Sequence, residues 1–91
     1  MQKLKMIASG RVQGVGFRYG SYQLAQKYLI KGRVWNEGNG TVVILAQSSD
    51  SQALTAFERE IRKGPTPWAK VKYLEVTTDN SPEFSDFRIG N

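Results

Sequence analysis

A chain of 91 residues carries 13 Lys and Arg against 8 Asp and Glu, a formal charge of +5, and contains neither Cys nor His. Those absences exclude disulfides, thiolate nucleophiles, histidine bases or phospho-acceptors, and zinc sites built on either ligand. The length predicts one domain over residues 1–91 with a small core, and the positive field favours anionic ligands.

The three aspartates, Asp50, Asp79 and Asp86, are scattered, so no acidic pair marks a magnesium site and neither a metal nor a cofactor is called for. No apolar run approaches the ~18 residues of a membrane helix. The basic start, Met1 to Met6, lacks the apolar stretch of a secretory signal. A cytoplasmic protein without membrane attachment is expected.

Leu4 to Ser9 reads as a strand with Leu4, Met6 and Ala8 on one face. A glycine-rich turn follows, and from Phe17 to Ile30 the apolar spacing turns helical, with Leu24, Ala25, Tyr28 and Leu29 on one stripe. Gly32, preceded by Lys27 and Lys31, is expected to stop that helix. Arg33 to Asn36 is a short strand. Glu37-Gly38-Asn39-Gly40 is a hairpin turn, and Thr41 to Ala46 has the apolar run of a central strand.

Ser48, Ser49, Asp50 and Ser51 offer helix caps before Ala53, Leu54, Phe57 and Ile61 at helical spacing. Gly64-Pro65 ends that helix. Ala69 to Thr77 is a strand whose apolar face switches between Tyr73 and Leu74, which predicts a bulge or a twist. Phe84 to Ile89 reads as a last short strand. The order β-α-β-β-α-β plus a terminal strand predicts an α+β, ferredoxin-like sandwich. Its sheet is expected to be antiparallel, with both helices on one face and the first and third strands at its centre.

The chemistry concentrates in Gly10-Arg11-Val12-Gln13-Gly14-Val15-Gly16-Phe17-Arg18. Glycines at 14 and 16 permit positive φ, and successive amides in such a turn form a concavity for anions. The helix that follows adds the positive end of its dipole, and Arg18 adds a planar cationic fork of donors. The loop is neither a Walker A sequence nor a dinucleotide fingerprint, because Gly-Lys-Ser/Thr and Gly-x-Gly-x-x-Gly are both missing. A tight turn with a solvated Arg18 explains the loop alone equally well. Asn36 precedes a turn, where its amide could hold a water molecule or simply cap the turn. The order of elements alone does not place Asn36 at the loop.

Taken together, the loop from Gly10 to Arg18, Gly32-Arg-Val-Trp-Asn36, Gly40-Thr-Val42, Gly64-Pro65 and the Phe87-x-Ile89 ending resemble the acylphosphatase family over nearly the whole chain. Arg33, Trp35 and Ser48 depart from the pattern common in that family, and none of them replaces a catalytic group. The resemblance implies metal-free hydrolysis of acyl phosphates to a carboxylate and inorganic phosphate. It assigns phosphate binding to Arg18 and to the backbone of Gln13, Gly14, Val15, Gly16 and Phe17, and the orientation of the attacking water to Asn36. A monomer acting on a small acyl phosphate is expected, with inorganic phosphate or sulfate as product or mimic.

This inventory suits such a reaction. A carboxylate, whose conjugate acid has a pKa of about 4, leaves without a proton. Phosphoryl transfer then needs positioning and charge stabilisation rather than a general acid. The substrate phosphate, with a second pKa near ~6, is the expected proton acceptor, and Glu37 is the competing base. A nucleic-acid-binding module is disfavoured, because Thr41 to Ala46 has no aromatic residue and no RNP1 pattern. A silent phosphate-sensing domain is a third reading.

Overall fold

A computed structural model describes residues 1–90. The elements are β1 (Gln2–Arg11), α1 (Phe17–Tyr28), β2 (Lys31–Asn36), β3 (Val42–Ser48), α2 (Ser51–Lys63), β4 (Lys70–Thr78) and β5 (Phe87–Ile89). They build one five-stranded sheet in the order β4-β1-β3-β2-β5, so β1 and β3 lie inside the sheet as expected. The β1–β3, β1–β4 and β2–β3 pairs are antiparallel. The terminal strand differs from the expectation of a wholly antiparallel sheet. β5 pairs parallel to β2, with Gly32, Val34 and their neighbours opposite Phe87 to Ile89, so the sheet is mixed. The long connection after β4 allows this, since it carries the chain across to the far edge before β5 begins.

The core lies between one sheet face and the two helices. Met6 and Ala8 of β1, Val34 of β2, and Val42, Ile44 and Ala46 of β3 meet Phe17 and Ala25 of α1 and Leu54, Phe57 and Ile61 of α2 there. Phe87 of β5 enters the same core, edge-on to Phe57 at a centroid distance of 6.3 Å. Burying a side chain of this size stabilises by roughly 1.5–3 kcal/mol. Every residue of β3 is buried. On the face away from the helices, Val43 is flanked in register by Ile7 and Trp35, and Leu45 by Lys5 and Arg33, whose long side chains can shield it.

The helix ends show where local pattern and tertiary demand part. Asp50 caps α2, accepting from the amides of Gln52 and Ala53, and Gly64 follows its last residue as expected. The end of α1 is not Gly32. Leu29 takes the left-handed conformation, with φ 57°, and its amide turns back to Ala25 and Gln26. Gly32 lies inside β2, where a Cβ would collide with the carbonyl oxygen of Leu45 on the neighbouring strand. That glycine answers a close approach of two backbones, not a helix stop.

The bulge expected in the last long strand is present. Ser9 pairs with Tyr73 and Gly10 with Val71, so Lys72 is the extra residue on β4. Gly10, at φ 121°, accommodates it; a Cβ there would come within 2.5 Å of the Lys70 carbonyl oxygen. The bulge bends the strand pair just before the glycine-rich loop.

Candidate active site

Two successive antiparallel pairings settle where Asn36 lies. β1 and β2 both run antiparallel to β3, which lies between them, so both end at the same edge of the sheet. Asn36 is opposite Val42, and Val42 is opposite Ala8, three residues before the end of β1. The loop leaving β1 and the end of β2 therefore meet. Strand register supplies what the order of elements alone could not.

Between them lies a cavity of about 260 Å³ lined by Val12, Gly14, Gly16, Phe17, Arg18, Tyr19, Asn36 and Ile89. Arg18 is the one ionic side chain among these. A wider hollow of about 520 Å³ at the opposite sheet edge, formed by Met1–Leu4 and Thr78–Asn80, gathers no comparable set of groups; its Lys3 ammonium donates to the Ser81 carbonyl.

Five of the seven residues singled out from sequence, Gly14, Gly16, Phe17, Arg18 and Asn36, line the cavity. The other two turn their side chains elsewhere. Val15 is buried in the core. The Gln13 amide donates to the carbonyls of Glu37 and Thr41, each at 2.9 Å, and so ties the loop to the hairpin that follows Asn36.

The loop takes a conformation suited to an anion. Gly14 and Gly16 both have φ 75°, and Gly16 is the N-cap of α1 without a side-chain cap. Among the described residues, the amides of Gly14, Val15 and Gly16 donate to no protein acceptor. They remain available to a ligand at the positive end of the helix dipole.

Arg18 stands in the first turn of α1, and its Nη1 donates to the Gly90 carbonyl at 2.9 Å. That bond aims the guanidinium and leaves its remaining donors for other acceptors. The strand supplying this carbonyl is itself fastened. The Gly90 amide donates to the Val34 carbonyl and the Gly32 amide to that of Asp86. Arg33 reaches the Asp86 carboxylate at 3.1 Å and lies 4.2 Å from the Phe84 ring centroid. Hydrogen bonding from Arg88 is the leading cause that holds the Asp86 carboxyl below its ordinary range, with Arg33 adding to it; Asp86 in turn raises Arg88. The sign follows: whatever this cluster contributes to stability is present at neutral pH and fades as Asp86 is protonated in acid.

Besides Val12 in the cavity wall and the Gly90 carbonyl that receives Arg18, sequence reasoning missed three contributors. Tyr19 and Ile89, 59% and 43% exposed, stand at the cavity, and Tyr19 stacks on Tyr22 at 6.2 Å. Thr66, in the loop after α2, donates its hydroxyl to the Val15 carbonyl at 2.9 Å. Ile89 stood in the Phe87-x-Ile89 ending noted above, but without a role at the site, and neither Tyr19 nor Thr66 was singled out. Glu37, the competing base, accepts from the Trp35 indole at 2.6 Å and does not line the cavity.

Known proteins resemble this chain over nearly its whole length. The acylphosphatase family model matches residues 4–89. An acylphosphatase of Lactococcus lactis is 48% identical, with 98% of each chain covered. That of Lactiplantibacillus plantarum is 41% identical over the full length of both chains. The crystal structure of acylphosphatase from Bacillus subtilis superposes with a TM-score of 0.92 at 38% identity, and both chains are covered completely. By family model, sequence identity and overall superposition alike, the chain belongs to the acylphosphatase family.

Proposed function

We propose that, in the hydrolysis of acyl phosphates that its family performs, this chain holds the phosphoryl group between Arg18 and the amides of residues 13–17, while Asn36 orients the attacking water. The observation carrying this reading is the convergence of Arg18, Gly14, Gly16 and Asn36 on one cavity. The equatorial oxygens of the phosphoryl group gather the negative charge of the transition state, and preorganised amides and a guanidinium stabilise it there.

Water oxygen bonds to phosphorus, the bond from phosphorus to the acyl oxygen breaks, and a carboxylate departs with the electron pair. The water proton passes to a non-bridging phosphate oxygen, whose second pKa near ~6 suits it to accept at neutral pH. The engagement of Glu37 by Trp35 favours this substrate-assisted route over a carboxylate base. The exposed Tyr19 and Ile89 at the cavity leave room for an acyl portion to extend toward solvent. All the groups named belong to one chain, in keeping with action as a monomer. Among the described residues no cluster of three acidic side chains could seat a metal, and no helix is long and apolar enough to cross a membrane.

The test is to supply a simple acyl phosphate and a simple phosphate monoester with chelator present. Cleavage of the acyl phosphate alone, competitively inhibited by inorganic phosphate, is expected. Loss of activity on chelation, or equal cleavage of the monoester, contradicts the mechanism.

A further inference from the structure

Thr66 lies 51 positions from the phosphate loop in sequence, yet its hydroxyl donates to the Val15 carbonyl at 2.9 Å. Its methyl faces the same corner: a Cβ on Gly16 would lie 3.7 Å from it, and one on Gly20 only 2.8 Å. Thr66 is itself held, because its carbonyl accepts the Ala69 amide and closes the loop between α2 and β4.

The peptide joining Val15 to Gly16 is trans, so its C=O and N–H point to opposite sides. Drawing the Val15 oxygen toward Thr66 turns the Gly16 amide the other way. A flip of that peptide turns ψ of Val15 and φ of Gly16. Gly16 is at φ 75°, and glycine moves between conformations at low cost. Something outside the loop has to hold the orientation.

We propose that Thr66 is a positioning residue for phosphate binding: by anchoring the Val15 carbonyl it keeps the Gly16 amide aimed at the anion. This rests on the reading of the loop as the phosphate cradle. Thr66 touches neither phosphate nor water and acts through one peptide plane.

The experiment compares wild type, Thr66→Val, which keeps the shape and removes the donor, and Thr66→Ser, which keeps the donor. The readouts are competitive inhibition by inorganic phosphate, kcat and KM on an acyl phosphate, and the shift of the Gly16 amide resonance on adding phosphate. Thr66→Val is expected to weaken phosphate binding by about 3- to 10-fold, the scale of one neutral hydrogen bond, with a matching fall in kcat/KM and a smaller Gly16 shift. Thr66→Ser is expected within about 2-fold of wild type. Should Thr66→Val fail to fold, Thr66→Ala carries the same comparison.

Wild-type affinity in the donorless variant, or a Ser variant as impaired as it, overturns the proposal while leaving the phosphate cradle intact. A wild-type enzyme that hydrolyses acyl phosphate but is not inhibited by phosphate, and whose Gly16 amide does not respond, overturns the cradle and this proposal together.

Discussion

Replacing Arg18 by Ala is the sharpest perturbation of the site. One of its donors is committed to the Gly90 carbonyl, and a guanidinium has five N–H groups in a fixed plane. Two of the remainder suffice for a bidentate grip on phosphate. A charge-assisted hydrogen bond contributes about 1.5–3 kcal/mol, so losing two removes ~3–6 kcal/mol of transition-state stabilisation. At about 1.4 kcal/mol per decade, kcat/KM falls by roughly 10²- to 10⁴-fold. The bond to Gly90 disappears as well, but that carbonyl lies at an accessible end of the sheet and can take water. The melting temperature should therefore move by only a few degrees. The assay is steady-state hydrolysis of an acyl phosphate, with inhibition by inorganic phosphate and a thermal melt as controls. Arg18→Lys keeps the charge but loses the fork, so it should fall between wild type and Ala. An Ala variant within about 3-fold of wild-type kcat/KM would falsify the role of the guanidinium as the phosphate grip.

Asn36→Ala should lower kcat with a smaller change in KM, because its amide is assigned to the water and not to the ground-state phosphate; a rise in KM at normal kcat would move the residue to substrate binding. Leu29→Gly should stabilise the fold. The left-handed conformation costs a non-glycine residue roughly 1 kcal/mol, and Leu29 is 78% exposed, so little burial is lost. A net gain of about 0.5 kcal/mol, or roughly 2–4 °C in Tm, is expected after the extra chain entropy of glycine is set against it. A lower Tm would mean that Leu29 packs in a way its exposure conceals.

What the sequence revealed of the site was whatever is local. The loop from Gly10 to Arg18 spans nine consecutive positions, and turn, helix start and cation follow from residue types alone. The bulge in β4 was visible because an odd insertion flips the alternation of apolar side chains. Gly32 misled for the opposite reason. A glycine after two lysines near a helix end looks like a stop signal, and only the carbonyl of Leu45 on the next strand reveals why it is there. Leu29 gave no warning, since nothing in its type favours φ 57°. The parallel pairing of β5 and the bonds of Thr66 and Gly90 to the site all span more than 50 positions or depend on sheet order. Periodicity carries no information about such contacts.

The strand order also makes the site depend on a segment that contributes no residue to it. Arg18 and Asn36 have both been specified by residue 36, yet β1 and β2 are not neighbours; β3 is threaded between them and pairs with each. Without residues 42–48 in that gap, no strand pairing sets the separation of Arg18 from Asn36. The cavity is complete only when the segment that ends at Gly90 has also reached Arg18, so its geometry depends on the whole sheet rather than on any one segment.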